Sequence, residues 1–319
     1  MVFSKQRTDA AILETGEPRT QKPQGTFAEN QLLPLKGPTE KLEKPFTFKA
    51  DKTLSFRLYP DNRPRNLEIA ALQKGLVLMA NGVELVEEGA GFGVPIAKYA
   101  DRTYFSSSAE VFLQKQGSSE AVVSKVFLLD TVSKKQIGGV SINDGFYSLF
   151  HSVFERAYLN RKGLRPLFDW VMRLRKTVGV QTRFVKVEPR GKVAVTYRFH
   201  PHLIGVHVDF SALEKAHCQD ILILNEQGAT FFRKYSDLGG TMLCDGQIGA
   251  WARVKAKQAS FSDFEEQLLF SLENMNSAIL YGGREQIKDR FSWAGLSYAL
   301  NPSTLSFDYT IRISLASLR

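Results

Sequence analysis

The chain has 319 residues, of which 43% are hydrophobic and 24% charged. These globular values exclude a mainly disordered polymer, a collagen and a mucin-like stalk. The formal charge is +9, from 42 basic and 33 acidic residues.

No apolar run approaches the roughly 18 residues needed to span a bilayer as a helix. The stretch Met1–Lys22 has no apolar h-region and does not read as a secretory signal. The expected location is cytoplasmic. Two cysteines, Cys218 and Cys244, cannot form a disulfide framework or a four-cysteine zinc site.

In chain order, residues 1–44 read as a disordered or extended tail. They are rich in Lys, Glu, Gln, Pro, Gly and Thr, and Leu32, Leu33 and Leu35 are among their few apolar residues. Such a segment buries too little apolar surface to offset its ordering entropy. From Pro45 the pattern becomes strand-like. Leu54, Phe56 and Leu58 alternate with polar residues, the period of a half-buried strand. Leu76–Met79 and Val83–Val86 flank Asn81-Gly82, a hairpin signal. Runs at Thr103–Phe105, Ala109–Leu113, Ala121–Leu129 and Gln136–Ile142 continue the series.

Residues 145–178 break it. Phe146, Leu149, Phe150, Val153, Phe154 and Ala157 recur at helical spacing. After Lys162-Gly163, Pro166 suits the first turn of a second helix, with Leu167, Trp170, Val171 and Leu174 as its apolar stripe. Strands return at Gln181–Glu188 and Lys192–Phe199, with Pro189-Arg190-Gly191 between them as an expected turn. Leu203–Phe210, Ile221–Leu224 and further short runs lead to a closing strand, Ser306–Leu315.

The expected fold is mainly β: a large antiparallel sandwich over residues 45–319, with a basic two-helix insert. Its size and strand density are similar to those of the large two-sheet sandwiches of the galactose-mutarotase kind, a likeness of architecture only. The alternative is two β domains flanking the insert.

The charge is local. Residues 156–198 hold 12 basic and 2 acidic residues. Arg173, Arg175 and Lys176 lie in this patch, with Phe168, Trp170 and Phe184 interleaved. Such a patch suits a polyanion, although no named nucleic-acid motif accompanies it.

Candidate chemistry lies in four places. Glu87-Glu88-Gly89-Ala90-Gly91-Phe92-Gly93 combines carboxylates with a backbone free to adopt positive φ. Glu88 is its acid/base candidate, with Glu84 and Glu87 beside it. No Lys-Ser/Thr follows these glycines, so the run is not a P-loop. His200-Pro201-His202, with His207 after it, is the histidine cluster; residues two apart share a strand face. Metal binding there would need a third ligand such as Asp209, His217 or Glu226, and no metal or other cofactor is expected. Glu226 sits in Asn225-Glu226-Gln227-Gly228, which reads as a loop or hairpin turn. Arg284 and Arg290 could clamp a carboxylate or phosphate, and Trp251 and Trp293 could stack on a sugar.

These features converge on a protein that binds or acts on an anionic sugar or sugar derivative. Glu226, His202 and Glu88 are its acid/base candidates. Arg284, Arg290, Trp251, Trp293 and His200 are its ligand-binding candidates. Whether it is an enzyme is left open, as is its oligomeric state. The alternative is a non-enzymatic module that docks an anionic partner through residues 156–198.

Overall fold

In a computed structural model the described residues are 39–60, 73–86, 90–117, 120–137, 181–243, 251–287 and 291–315. Among them there is no helix, and nineteen strands follow one another. They are β1 (Glu40–Leu42), β2 (Phe46–Lys49), β3 (Leu54–Leu58), β4 (Val77–Ala80), β5 (Val83–Glu84), β6 (Gly91–Tyr99) and β7 (Thr103–Gln116). Next come β8 (Ala121–Ile137), β9 (Gln181–His200), β10 (Leu203–Asp209), β11 (Cys218–Gln227), β12 (Lys234–Asp237) and β13 (Gly240–Leu243). The last are β14 (Ala252–Arg253), β15 (Gln258–Ser262), β16 (Leu268–Glu273), β17 (Ile279–Ile287), β18 (Phe291–Leu300) and β19 (Ser306–Leu315). The two helices expected at 145–178 lie outside the described residues.

The chain divides into two compact units, one of residues 1–20 and 132–187, the other of 21–131 and 188–319. The second unit carries all the described strands except the end of β8 and the start of β9. Its main sheet runs β13-β12-β15-β16-β19-β10-β9-β8-β7-β6-β11-β18-β17-β14, with β1 added beside β7. A smaller sheet, β2-β3-β4-β5, accompanies it.

Alternation dictates which face each strand buries. In β19, Phe307, Tyr309, Ile311 and Ile313 are buried while Ser306, Arg312 and Ser314 are exposed. The buried faces of the two halves of the path meet in an aromatic layer. Phe92 on β6 packs edge-on against Phe270 on β16, with ring centroids 5.2 Å apart. Tyr298 on β18 meets Tyr309 on β19 at 5.1 Å. Phe199 on β9 gathers Phe46, Phe48 and Phe56 of the smaller sheet. Each such ring contributes on the order of 1.5–3 kcal/mol of burial. The result is a two-layered antiparallel β-sandwich.

Some turns follow the sequence signals and others do not. Asn81 and Gly82 both have positive φ, 49° and 79°, and join β4 to β5. That is the backbone of a tight hairpin turn. Pro189-Arg190-Gly191 does not reverse the chain. β9 runs through it, and Gly191 absorbs the kink at φ 118°. Backbone bonds from Lys192 N–H to Ala212 and from Glu214 N–H to Arg190 hold the strand in line. The expected gap between Leu129 and Gln136 is likewise bridged by the continuous β8.

Gly91 and Gly93 of the glycine run lie at the start of β6. Gly93 has φ 79°, and the β6–β11 register shifts there. This is a β-bulge, a use that favours glycine. A Cβ at Gly93 would lie 2.6 Å from the Tyr197 hydroxyl oxygen. Tyr197 donates that hydroxyl to the Phe92 carbonyl at 2.8 Å. Pro95 is tolerated because β6 pairs with β7 only at Ala97 and Lys98.

Candidate functional site

Asn225, Glu226 and Gln227 are not in a turn. They are the last three residues of β11, and all three are buried. Buried polar side chains need partners, and alternation sends these to two faces. Asn225 and Gln227 point into the sandwich. The Asn225 Oδ1 accepts from the Gly93 N–H at 3.0 Å and from the Tyr309 hydroxyl at 2.8 Å. The Gln227 Oε1 accepts from the Leu78 N–H at 3.3 Å.

Glu226 points the other way. Its Oε2 accepts from the Ala90 N–H at 3.2 Å, at the mouth of the glycine run. In register it lies opposite Gly295 on β18, which lies opposite Gly283 on β17. Extending the β14–β17 register by one residue brings Trp251 opposite Gly283. One transverse row across four strands therefore reads Glu226, Gly295, Gly283, Trp251. The two glycines are required by what lies on them. A Cβ at Gly295 would be 2.7 Å from the Glu226 Cγ, and one at Gly283 would be 3.0 Å from Trp293 and 3.2 Å from Trp251. The carboxylate side chain and the two indoles thus lie flat on the sheet.

Trp251 and Trp293 stack with centroids 4.5 Å apart and planes 17° from parallel. Trp293 is buried and Trp251 only partly so. The Trp293 indole N–H donates to the Glu285 Oε2 at 3.1 Å. Glu285 is opposite Trp293 across the β17–β18 pair, so both share this face. On the other flank of the glycine row, Ser297 is opposite Tyr281. Ser297 is 4% exposed, and its hydroxyl has no hydrogen-bond partner.

The structure thus joins Glu226, Trp251 and Trp293 on one face. Arg284, adjacent to Gly283, points to the opposite, inner face. Its guanidinium donates to the carbonyls of Phe232 at 3.3 Å and Ala229 at 2.8 Å, and to the Gln286 Oε1 at 2.8 Å. It pins the segment after β11 to β17. His200 ends β9, and His202 is exposed in the β9–β10 turn. Strands β8, β7 and β6 separate β9 from β11 in the sheet order. Glu88, Arg290, Arg173, Arg175 and Lys176 lie outside the described residues. Glu84 is engaged with Tyr59 and Lys74, at 2.8 and 2.6 Å.

Within the basic segment, the Arg190 Nη1 donates to both carboxylate oxygens of Glu214, at 2.9 and 3.0 Å, and the guanidinium lies over the rings of Tyr99 and Tyr104. Arg198 approaches Glu120 at 3.9 Å. Among the described residues no three His, Cys, Asp or Glu side chains converge as a metal site. Burial raises the Cys218 thiol above its ordinary range, so it is not an activated nucleophile.

Glu285, Ser297, Tyr281 and Arg253 were not singled out from the sequence. Their two-residue spacing from Gly283, Gly295 and Trp251 is visible there, but the cross-strand register that unites them is not. A second feature missed was the pairing of His207 on β10 with Asp308 on β19, Nδ1 to Oδ1 at 2.7 Å.

No protein-family model matches this chain, and no curated protein matches it. Nine chains among solved structures match. One is an alpha-N-acetylgalactosaminidase from Bifidobacterium bifidum, in complex with GalNAc, at 6% identity and a TM-score of 0.44. The match covers 85% of this chain but only 36% of that enzyme. Another is the Slr1438 protein from Synechocystis, at 11% identity and a TM-score of 0.35, covering 89% and 98% of the two chains. A third is HI1317, at 7% identity and a TM-score of 0.30, covering 88% and 100%. Likenesses this distant assign neither substrate nor site. Among the described residues, no helix is long and apolar enough to cross a membrane.

Proposed function

We propose that this chain binds or acts on an anionic sugar or sugar derivative at the face built from Glu226, Trp251, Trp293 and Glu285. The observation that carries the reading is the row Glu226-Gly295-Gly283-Trp251. It sets a carboxylate and a stacked indole pair side by side on a floor stripped of side chains. A partly exposed indole offers a flat apolar face to the C–H groups of a sugar ring. Carboxylates beside it accept hydrogen bonds from ring hydroxyls. If the ligand is turned over, Glu226 and Glu285 are the acid/base pair of this face. Glu226 is buried and anchored by the Ala90 N–H, while Glu285 is nearer solvent.

The test is a titration of the full chain with glucuronate, glucose 6-phosphate and glucose, followed by tryptophan fluorescence. A saturable change that disappears in Trp251→Ala is the expected result. If no probe produces a saturable change, the reading is wrong. Turnover is assayed separately with nitrophenyl glycosides and uronides. Activity that survives both Glu226→Gln and Glu285→Gln would remove these carboxylates from any catalytic role.

A further inference from the structure

The row beside the glycine floor carries a cation that matches the anionic part of such a ligand. On β14, Arg253 lies two residues beyond Trp251 and opposite Tyr281. Tyr281 in turn lies opposite Ser297. The row Ser297-Tyr281-Arg253 therefore runs alongside Gly295-Gly283-Trp251 and faces the same way, since residues two apart on a strand share a face. Arg253 is exposed. No ion pair forms between it and any described residue. In this it differs from Arg190, Arg198 and Arg312, which all lie against carboxylates, and from Arg284, which is buried among carbonyls.

The two flanks of the glycine row differ in charge. On one side Glu285 accepts from the Trp293 indole. On the other, the unpaired guanidinium of Arg253 stands beyond Tyr281, and the buried Ser297 hydroxyl lacks a partner. A guanidinium presents a planar fork that suits carboxylate and phosphate.

We infer that Arg253 is the anion-binding residue of this face, and that its ligand is a sugar carrying one carboxylate or phosphate. The ring lies on Trp251 and the anionic group reaches Arg253. The inference rests on the reading of Trp251 as a sugar platform and adds to it the source of charge selectivity.

The experiment compares the wild type with Arg253→Gln, using glucuronate, glucose 6-phosphate and glucose as probes and tryptophan fluorescence as readout. Arg253→Gln is expected to weaken binding of both anionic probes about tenfold or more, the range of a lost charge-assisted bond, while leaving glucose unchanged. Glucuronate and glucose 6-phosphate separate carboxylate from phosphate as the natural group. The inference about Arg253 fails if Arg253→Gln binds the anionic probes as the wild type does, or loses glucose to the same extent. In either case the Trp251→Ala result still stands or falls alone. Silence of the wild type toward every probe overturns the platform reading and this inference with it. Circular dichroism of each variant checks that the fold is intact, because Arg253 is exposed and its replacement leaves no buried group unpaired.

Discussion

Glu84 and Lys125 grip the same two residues from opposite chemical sides. The Glu84 carboxylate accepts from the Tyr59 hydroxyl at 2.8 Å and from the Lys74 Nζ at 2.6 Å. The Lys125 ammonium, on a residue with no exposed surface, donates to the carbonyls of Tyr59 at 2.8 Å and Lys74 at 2.6 Å. Tyr59 and Lys74 bracket the stretch 60–73, so one anion and one cation together fasten both of its ends. Neither pairing is readable in sequence. The partners are 66, 51, 25 and 10 residues apart.

This double clasp makes a stability prediction. Lys125→Met removes a buried cation and leaves two part-buried carbonyls without that donor. The expected loss is about 3 kcal/mol, the scale for breaking a buried polar arrangement. Glu84→Gln, at a part-exposed position, should cost about 1 kcal/mol. Because both hold Tyr59 and Lys74, the double variant should depart from additivity by roughly 0.5 kcal/mol or more. Urea unfolding midpoints of the four proteins measure it, and strict additivity would refute a shared clasp.

The glycine floor predicts intolerance to a methyl group. Gly295→Ala would put a Cβ 2.7 Å from both the Asn225 carbonyl oxygen and the Glu226 Cγ. A backbone oxygen cannot step aside as a side chain can, so a cost of about 1–3 kcal/mol follows. Gly283→Ala meets only indole atoms, at 3.0 and 3.2 Å. It should disturb the Trp251–Trp293 stack more than the fold. Near-ultraviolet circular dichroism reads the stack and thermal unfolding reads the fold. Equal effects of the two variants on both would contradict this division.

The inner anchor of β11 is testable through Asn225. Its Oδ1 serves a β6 amide and the Tyr309 hydroxyl together, with all three groups buried. Asn225→Leu orphans both donors and should destabilise by about 2–4 kcal/mol. Tyr309→Phe removes one partner cleanly and should cost only about 1 kcal/mol. Reversal of that order in chemical denaturation would mean that the bonds to Asn225 are weak.

The His207–Asp308 pair gives stability a pH dependence of known sign. The hydrogen bond and charge of Asp308 raise the His207 pKa above 6.5, against the opposing effect of burial. Asp209 adds to the rise. A histidine whose folded pKa is raised adds stability that is fully present below its unfolded pKa, about 6.5. That stability is lost as pH rises through the folded value. The melting temperature of the wild type relative to Asp308→Asn should therefore be higher at pH 5.5 than at pH 8.5. A difference that stays flat or grows with pH would show that the pair does not carry this linkage.

Sequence alone determined the strand-rich class and the faces of individual strands. A period of two is a local property, and β10 and β19 display it openly. Asn81-Gly82 also specified its turn, because positive φ at two consecutive residues selects such a pair. Other signals were overruled by neighbours. Pro189-Arg190-Gly191 reads as a turn, yet backbone bonds to Ala212 and Glu214 hold β9 straight. Asn225-Glu226-Gln227 reads as a polar loop, yet β6 and β18 flank β11 and bury it as strand. For the site, the residue types were visible, and Glu226, Trp251 and Trp293 do share a face. Their union depends on register across β11, β18, β17 and β14, which is set by long-range pairing and not by any local pattern. The same register turned Arg284 inward and Arg253 outward, because adjacent residues on a strand point to opposite faces. The sequence offered Arg284 and Arg290 beside the tryptophans; only the tertiary pairing turned Arg284 inward and set Arg253 in solvent on the face of Trp251.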